Sequence, residues 1–303
     1  QGNPLHEPKE IHAVPEDAAP VVLLTDGEPA ATIVVADSDN KKVRRRLSFA
    51  ARELRALLEQ ASGAKLPLVQ AKDFDGGPAV FLGVSEASKA AGFPAVDLPA
   101  EHFRVMTRGD SLAILGNSAQ DVTIPGANGE PVSAQSNFFT NRGTLYGVYD
   151  VLERFLGVRF YFPGELGTIV PKHETITIPP ADYVDGPVLK RRTVYPTLFK
   201  PDGSDKGTSF RWRWRYGNST GIMGNHTHNG WGKLYKEPKP DIFMLKKNGK
   251  RDLGGSFGGP HLCYSHPELA DMEVEHMKRF YETGWREAWG NWVMYPHEAH
   301  VAV

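Results

Sequence analysis

Gly224-Asn225-His226-Thr227-His228-Asn229-Gly230-Trp231 is the densest run of hydrogen-bonding groups in the chain, and His261, His266 and the pair His297-Glu298 follow it. All six tryptophans lie beyond Arg211, as do seven of the eleven histidines. Indole faces pack on apolar surfaces such as those of a pyranose ring, and imidazoles and guanidinium forks hydrogen-bond hydroxyls or a carboxylate. Trp212, Trp214 and Trp231 are therefore candidate ring-stacking faces of a sugar subsite. Candidate hydrogen-bonding groups of the same subsite are His226, His228, His297 and Arg215. Glu298 falls at the end of an expected strand and is the candidate general acid. Glycoside cleavage normally needs two carboxylates roughly 5–9 Å apart, and the sequence singles out only this one. The same residues would serve equally as aromatic packing and loop hydrogen bonds, so both readings stand at this point.

Other chemistries find less support. His226-x-His228 places two imidazoles on one side of an extended segment, a pairing used by zinc hydrolases, and His261, His266, His297 and His300 could add ligands. His297-Glu298-Ala299-His300 departs from the helical H-E-x-x-H signature because its histidines are three apart rather than four. No metal and no cofactor are therefore assigned. Arg211-Trp212-Arg213-Trp214-Arg215 interleaves charge and aromatics as single-strand nucleic-acid binders do, yet the whole chain carries a net charge of -1. Nucleic acid is not an expected partner. There is no G-x-S-x-G elbow, phosphate-binding loop or dinucleotide fingerprint, and Cys263 reads as a small buried hydrophobe.

The elements that must position these groups show in the periodicities. Leu145, Val148, Val151, Leu152, Phe155 and Leu156 recur at helical spacing, Gly143-Thr144 opens that helix and Gly157 caps it. A strand over 158–162 follows, stopped by Pro163-Gly164, with a second strand from Thr168. Upstream, residues 1–20 form an extended arm, and 21–24 and 31–35 read as paired strands split by Asp26-Gly27. A helix is expected over 41–62, with Val43, Leu47, Ala50, Leu54, Leu57 and Leu58 inward and Arg44, Arg45 and Arg46 on its solvated face. Strands at 66–69 and 79–84, a short helix at 85–91 and a hairpin over 103–116 complete the alternation. The result is an α/β sandwich over 21–180, closed by 174–179, with Pro179-Pro180 and Asp185-Gly186-Pro187 as a linker. Beyond 188 the order of strand, loop, helix over 269–289 and strand over 291–295 suits the opening of a (β/α) barrel. Met272, Val274, Met277, Phe280 and Tyr281 are its expected inner residues. Residues 188–303 are too few for a closed eight-stranded barrel, which takes roughly 200 or more, so this half is expected to be a fragment.

The run R-G-T-L-Y-G-V-Y-D-V-L-E-R-F-L-G-V-R-F-Y followed by P-G-E-L-G-T-I-V-P resembles the last helix and strand of a small α/β domain. That domain precedes the catalytic barrel in bacterial α-glucuronidases and β-hexosaminidases. The resemblance extends to secreted bacterial proteins joining such a domain to a barrel-like domain, and covers residues 32–267. Their Gly-His stretch and their L-C-x-S-x-P-E stretch stand here at 224–228 and 262–268, with His266 where the family has Asn. After the next strand the family has Pro and then Asn-Asp, where this chain has Pro296, His297 and Glu298. The resemblance implies O-glycosyl hydrolysis of a polysaccharide, with uronic-acid-bearing ones among the candidates, by a secreted or periplasmic protein. The alternative is a non-catalytic carbohydrate-binding or accessory protein, and the less favoured one a His-ligated metal hydrolase.

Bulk properties agree with a globular chain and decide little more. The 40% hydrophobic and 23% charged residues are ordinary, and no run is apolar enough for a membrane span. A single cysteine rules out an internal disulfide framework, so localisation rests on the resemblance alone.

Overall fold

The computed structural model describes residues 6–116, 123–125, 131–133, 142–189, 191–192, 212–218, 228, 230–254 and 260–283. The chain divides into two compact units, Gln1–Val122 with Gln135–Ser219, and Thr123–Ala134 with Thr220–Val303.

The first unit is mixed α/β. Its strands are β1 (Glu10–Ile11), β2 (Val21–Thr25), β3 (Glu28–Pro29), β4 (Thr32–Val35), β5 (Leu68–Gln70), β6 (Ala79–Leu82), β7 (Phe103–Arg108) and β8 (Ser111–Gly116). A small hairpin in the second unit supplies β9 (Thr123–Pro125) and β10 (Pro131–Ser133), and the first unit then resumes. It continues with β11 (Arg159–Phe160), β12 (Thr168–Ile169), β13 (Ile176–Ile178), β14 (Asp182–Asp185), β15 (Arg191–Arg192) and β16 (Gly217–Asn218). Among the described residues three helices accompany them, α1 (Lys41–Ser62), α2 (Glu86–Ala90) and α3 (Gly143–Phe155). Seven strands form the main sheet in the order β1-β14-β7-β8-β6-β4-β5, parallel from β8 through β6 and β4 to β5 and antiparallel on the other side.

Period-two alternation sorts the sheet residues between two cores. Ile33, Val35, Val80, Leu82, Leu112 and Ile114 join the cluster containing α1 and α3. Val34, Phe81, Met106, Ala113 and Leu115 turn to the other face, against Phe93 and Ala87 of the α2 region. Each large aliphatic side chain so buried stabilises by about 1.5–3 kcal/mol relative to exposure. α1 starts where the Asn40 carboxamide accepts the Lys42 and Val43 amides and stops at Gly63, whose φ of 82° is the left-handed cap. α3 rides close on the β7-β8 hairpin because Gly147 has no side chain: a Cβ there would lie 2.6 Å from Ile114 Cγ2.

Two expectations need correction. β2 and β4 do not pair with each other. Asp26 (φ 49°) and Gly27 (φ 79°) make a two-residue turn with both φ positive, which folds β2 onto β3, while β13 takes its other edge. β4 then crosses into the main sheet between β5 and β6. The expected linker also contains a strand, since β14 pairs with β7 and β1 within the main sheet. The arm before β2 thus contributes an edge strand.

In the second unit, α4 (Trp231–Tyr235), a 3-10 turn at Pro240–Ile242 and α5 (Leu269–Thr283) surround a core of Trp231, Ile242, Phe243, Leu262 and Leu269. Antiparallel bridges Phe243↔Leu262 and Leu245↔Arg251 tie the intervening segments together. The inner face of α5 differs from expectation. Val274 and Met277 are 50% and 39% exposed, whereas Leu269 and His276 are buried and Met272 packs on the core. Spacing explains it, because positions 269, 272, 273 and 276 share a face and the polar pair Glu273 and His276 is carried inward on it. The expected strand over 291–295 and the side chains of Phe280 and Tyr281 lie outside the described residues.

Candidate functional site

Among its described residues the second unit gathers three histidine–carboxylate pairs. At the first, His228 Nε2 donates to Glu273 Oε1 at 2.5 Å, with His228 held edge-on to Trp231 at 5.6 Å between ring centroids. Trp231 is the floor beneath, fully buried, and touches Tyr235 and His276 at 5.2 and 4.8 Å between centroids. The Tyr235 hydroxyl and His276 Nε2 share a hydrogen bond of 2.7 Å. Glu273 and His276 stand three residues apart on α5, so one helical turn delivers both. Burial pushes the His276 imidazole below its ordinary pKa and the Tyr235 phenol above its own. His228 and Glu273 keep 21% and 25% of their side-chain surface exposed, so the pair is open to solvent while Trp231 and His276 beneath it are buried.

The other two pairs sit on the 241–266 segment. His261 Nδ1 donates to Asp252 Oδ2 at 2.6 Å, and Lys246 Nζ lies 2.9 Å from Oδ1. The His261 imidazole first, and then Lys246, hold the buried Asp252 carboxyl down to about 2. His266 Nε2 donates to Asp241 Oδ2 at 2.9 Å and lowers that carboxyl too. A carboxylate on one ring nitrogen fixes the tautomer and aims the other nitrogen, the arrangement that general bases and metal ligands share. Among the described residues, no three His, Cys, Asp or Glu side chains are placed to hold one metal ion.

Trp231 was expected to offer a stacking face, and complete burial removes that role, since its ring is the centre of a core. Trp212, Trp214 and Arg215 stand in the first unit, whereas His228 and Trp231 stand in the second. There, residues 212–215 form a strap over α1 and α3. Trp212 meets Phe49 edge-on at 4.9 Å and carries the Arg142 guanidinium 4.6 Å from its ring centroid. Trp214 Nε1 donates to the Phe160 carbonyl at 2.7 Å. Arg213 pairs with Glu53 at 2.9 Å, and Glu53 also accepts the Tyr149 hydroxyl at 2.8 Å. Arg215, at a left-handed φ of 52°, pairs with Glu153. Alternating charge and aromatic residues here serve intramolecular docking. His226, His297 and Glu298 lie outside the described residues.

A buried ionic knot in the first unit was not foreseen. Glu101 is 2% exposed and adopts φ 65°, strain of about 1–3 kcal/mol for a non-glycine residue. Arg192 Nη2 donates to it at 2.9 Å, and a Cβ on Gly217 would fall 2.1 Å from its Oε1. Burial raises the Glu101 carboxyl above its ordinary value despite Arg192. Glu273 was likewise missed. Its only sequence signal is that an acid and a histidine, 273 and 276, interrupt the apolar face of an otherwise amphipathic helix.

No family model and no curated protein matches the chain. Among solved structures it is similar to a family GH115 4-O-methyl-α-glucuronidase with specificity for decorated arabinogalactans. The identity is 19% and the TM-score 0.37, over 57% of this chain and 19% of that one. It is similar to the GH20 β-N-acetylhexosaminidase of Streptomyces coelicolor A3(2), with 18% identity and a TM-score of 0.35 over 61% and 26% of the two chains. The chitobiase of Flavobacterium johnsoniae gives 11% identity and a TM-score of 0.32 over 64% and 22%. The chain thus spans about a fifth to a quarter of the length of these proteins.

Proposed function

We propose that this chain belongs to a carbohydrate-active protein whose reaction is O-glycosyl hydrolysis, and that His228 and Glu273 contact the sugar. The observation carrying this reading is the partly exposed His228–Glu273 hydrogen bond of 2.5 Å above the buried Trp231 and His276 and the half-buried Tyr235. A carboxylate fixed by an imidazole and reachable from solvent can accept a sugar hydroxyl or exchange a proton with a leaving oxygen. Retaining and inverting cleavage both require a second carboxylate, roughly 5–9 Å away, and Glu298 is proposed for it. Uronate recognition is proposed for His226 and His297. The sequence resemblance of 141–171 supports the substrate class, and with it an exported location.

Glucuronosyl and N-acetylglucosaminyl oligosaccharides, chosen for the chemistry of the similar enzymes, provide the test. Release of reducing sugar is expected from at least one, falling by about 10²–10⁴ in kcat for Glu273→Gln, the range for a lost acid or base. Turnover unchanged in Glu273→Gln would sink the assigned role. Binding without turnover, lost in His228→Ala, would make the protein a carbohydrate binder instead.

A further inference from the structure

The outer face of α1 carries an unpartnered cationic line. Lys41, Arg45, Arg52 and Arg55 follow one another at i, i+4, i+11 and i+14, opposite the buried Val43, Leu47, Ala50 and Leu54. At 1.5 Å per residue the line runs about 21 Å along the helix. Lys41, Arg45 and Arg52 are exposed and Arg55 is half-buried. Among the described residues none of the four side chains makes a hydrogen bond or ion pair. Apart from Asp39, exposed just before the helix at the Lys41 end, the nearby acids are engaged elsewhere. Glu53 accepts from Arg213 and Tyr149, Glu59 faces Lys65 at 3.7 Å, and Asp37 accepts the Lys72 amide. Moreover, the first turn of α1 contains no acid, so Lys41 stands at the positive end of the helix dipole, where a cation is disfavoured. A feature that breaks a local electrostatic rule without internal compensation marks a functional surface.

We propose that this face binds a linear carboxylated polysaccharide, a polyuronate, laid along the helix axis. The line of like charges matches a polymer with an acid at regular intervals, and arginine forks suit carboxylates bidentately. The choice of a sugar backbone rests on the carbohydrate reading above, while the charge requirement does not.

Affinity electrophoresis of the full chain tests it, in gels containing polygalacturonate, its methyl ester, or a single-stranded oligonucleotide. The stripe variant is Lys41→Gln/Arg45→Gln/Arg52→Gln/Arg55→Gln. The control, Lys233→Gln/Lys236→Gln/Lys247→Gln/Lys250→Gln, removes the same charge from the second unit. Polygalacturonate is expected to retard the wild type and the control, with retardation fading as salt rises, and the stripe variant to lose about tenfold or more in affinity. Equal loss in both variants, undiminished retardation of the stripe variant, equal retardation by the methyl ester, or tighter binding of the oligonucleotide would each overturn the proposal. Sugar release from uncharged glycosides keeps the two readings apart. Release that persists without polyuronate retardation sinks the stripe alone. Retardation that persists without release supports the stripe and sinks the hydrolase.

Discussion

Truncating a side chain with no exposed surface removes packing rather than recognition, and Trp231 is such a residue. Trp231→Ala is expected to cost the second unit about 3–5 kcal/mol, seen as a lower urea midpoint in its near-ultraviolet signal. Trp231→Phe should cost clearly less, because it keeps most of the volume and deletes an indole N–H that meets no acceptor among the described residues; equal losses would mean the N–H matters. Asp252 makes a pH prediction. Its folded-state carboxyl sits near 2, below the usual 3.8, so the stability it contributes is present above pH 4 and is lost as pH falls from about 4 toward 2. Asp252→Asn should flatten that limb of the stability curve, and an unchanged acid slope would contradict it. Sequence reasoning found His228 as a polar site residue, but not that Glu273 holds it or that Asp252 orients His261. Those partners come from other segments, and only tertiary contact identifies them.

Elements were read most securely where a local signal stops the chain. Asn40 and Gly63 bound α1 as their chemistry requires, and Gly157, with φ 72°, ends α3. β14 was missed because Asp182 and Asp185 flank only two apolar residues, Tyr183 and Val184, between proline-rich turns. Its strand character comes from pairing with β7, not from composition. The contact of α3 with the hairpin predicts that Gly147→Ala will destabilise the first unit by about 1–3 kcal/mol through overpacking, with loss of cooperativity or a lower midpoint in urea; a neutral result would mean α3 can slide. The strap makes a separate prediction. A double-mutant cycle between Arg213→Ala and Glu53→Ala should show coupling of about 0.5–3 kcal/mol, and additivity would show that the pair is incidental to docking.

At the scale of the molecule, a net charge of -1 conceals an uneven distribution. Averaging over 303 residues hides a helix whose outer line is cationic, which is why composition pointed to no charged partner. The mixed α/β class was legible from alternating periodicities, whereas the sheet order was not, because nothing local tells β2 to join β13 rather than β4. That order carries a consequence for biosynthesis. β1 and β2 are made first, yet their partners β14 and β13 are among the last strands of the unit. β2 pairs with β3 at once, but at about 5–20 residues per second β1 and the second edge of β2 wait on the order of ten seconds or more for these partners. The nascent chain therefore presents two open strand edges to the chaperone machinery until β13 and β14 emerge to cover them.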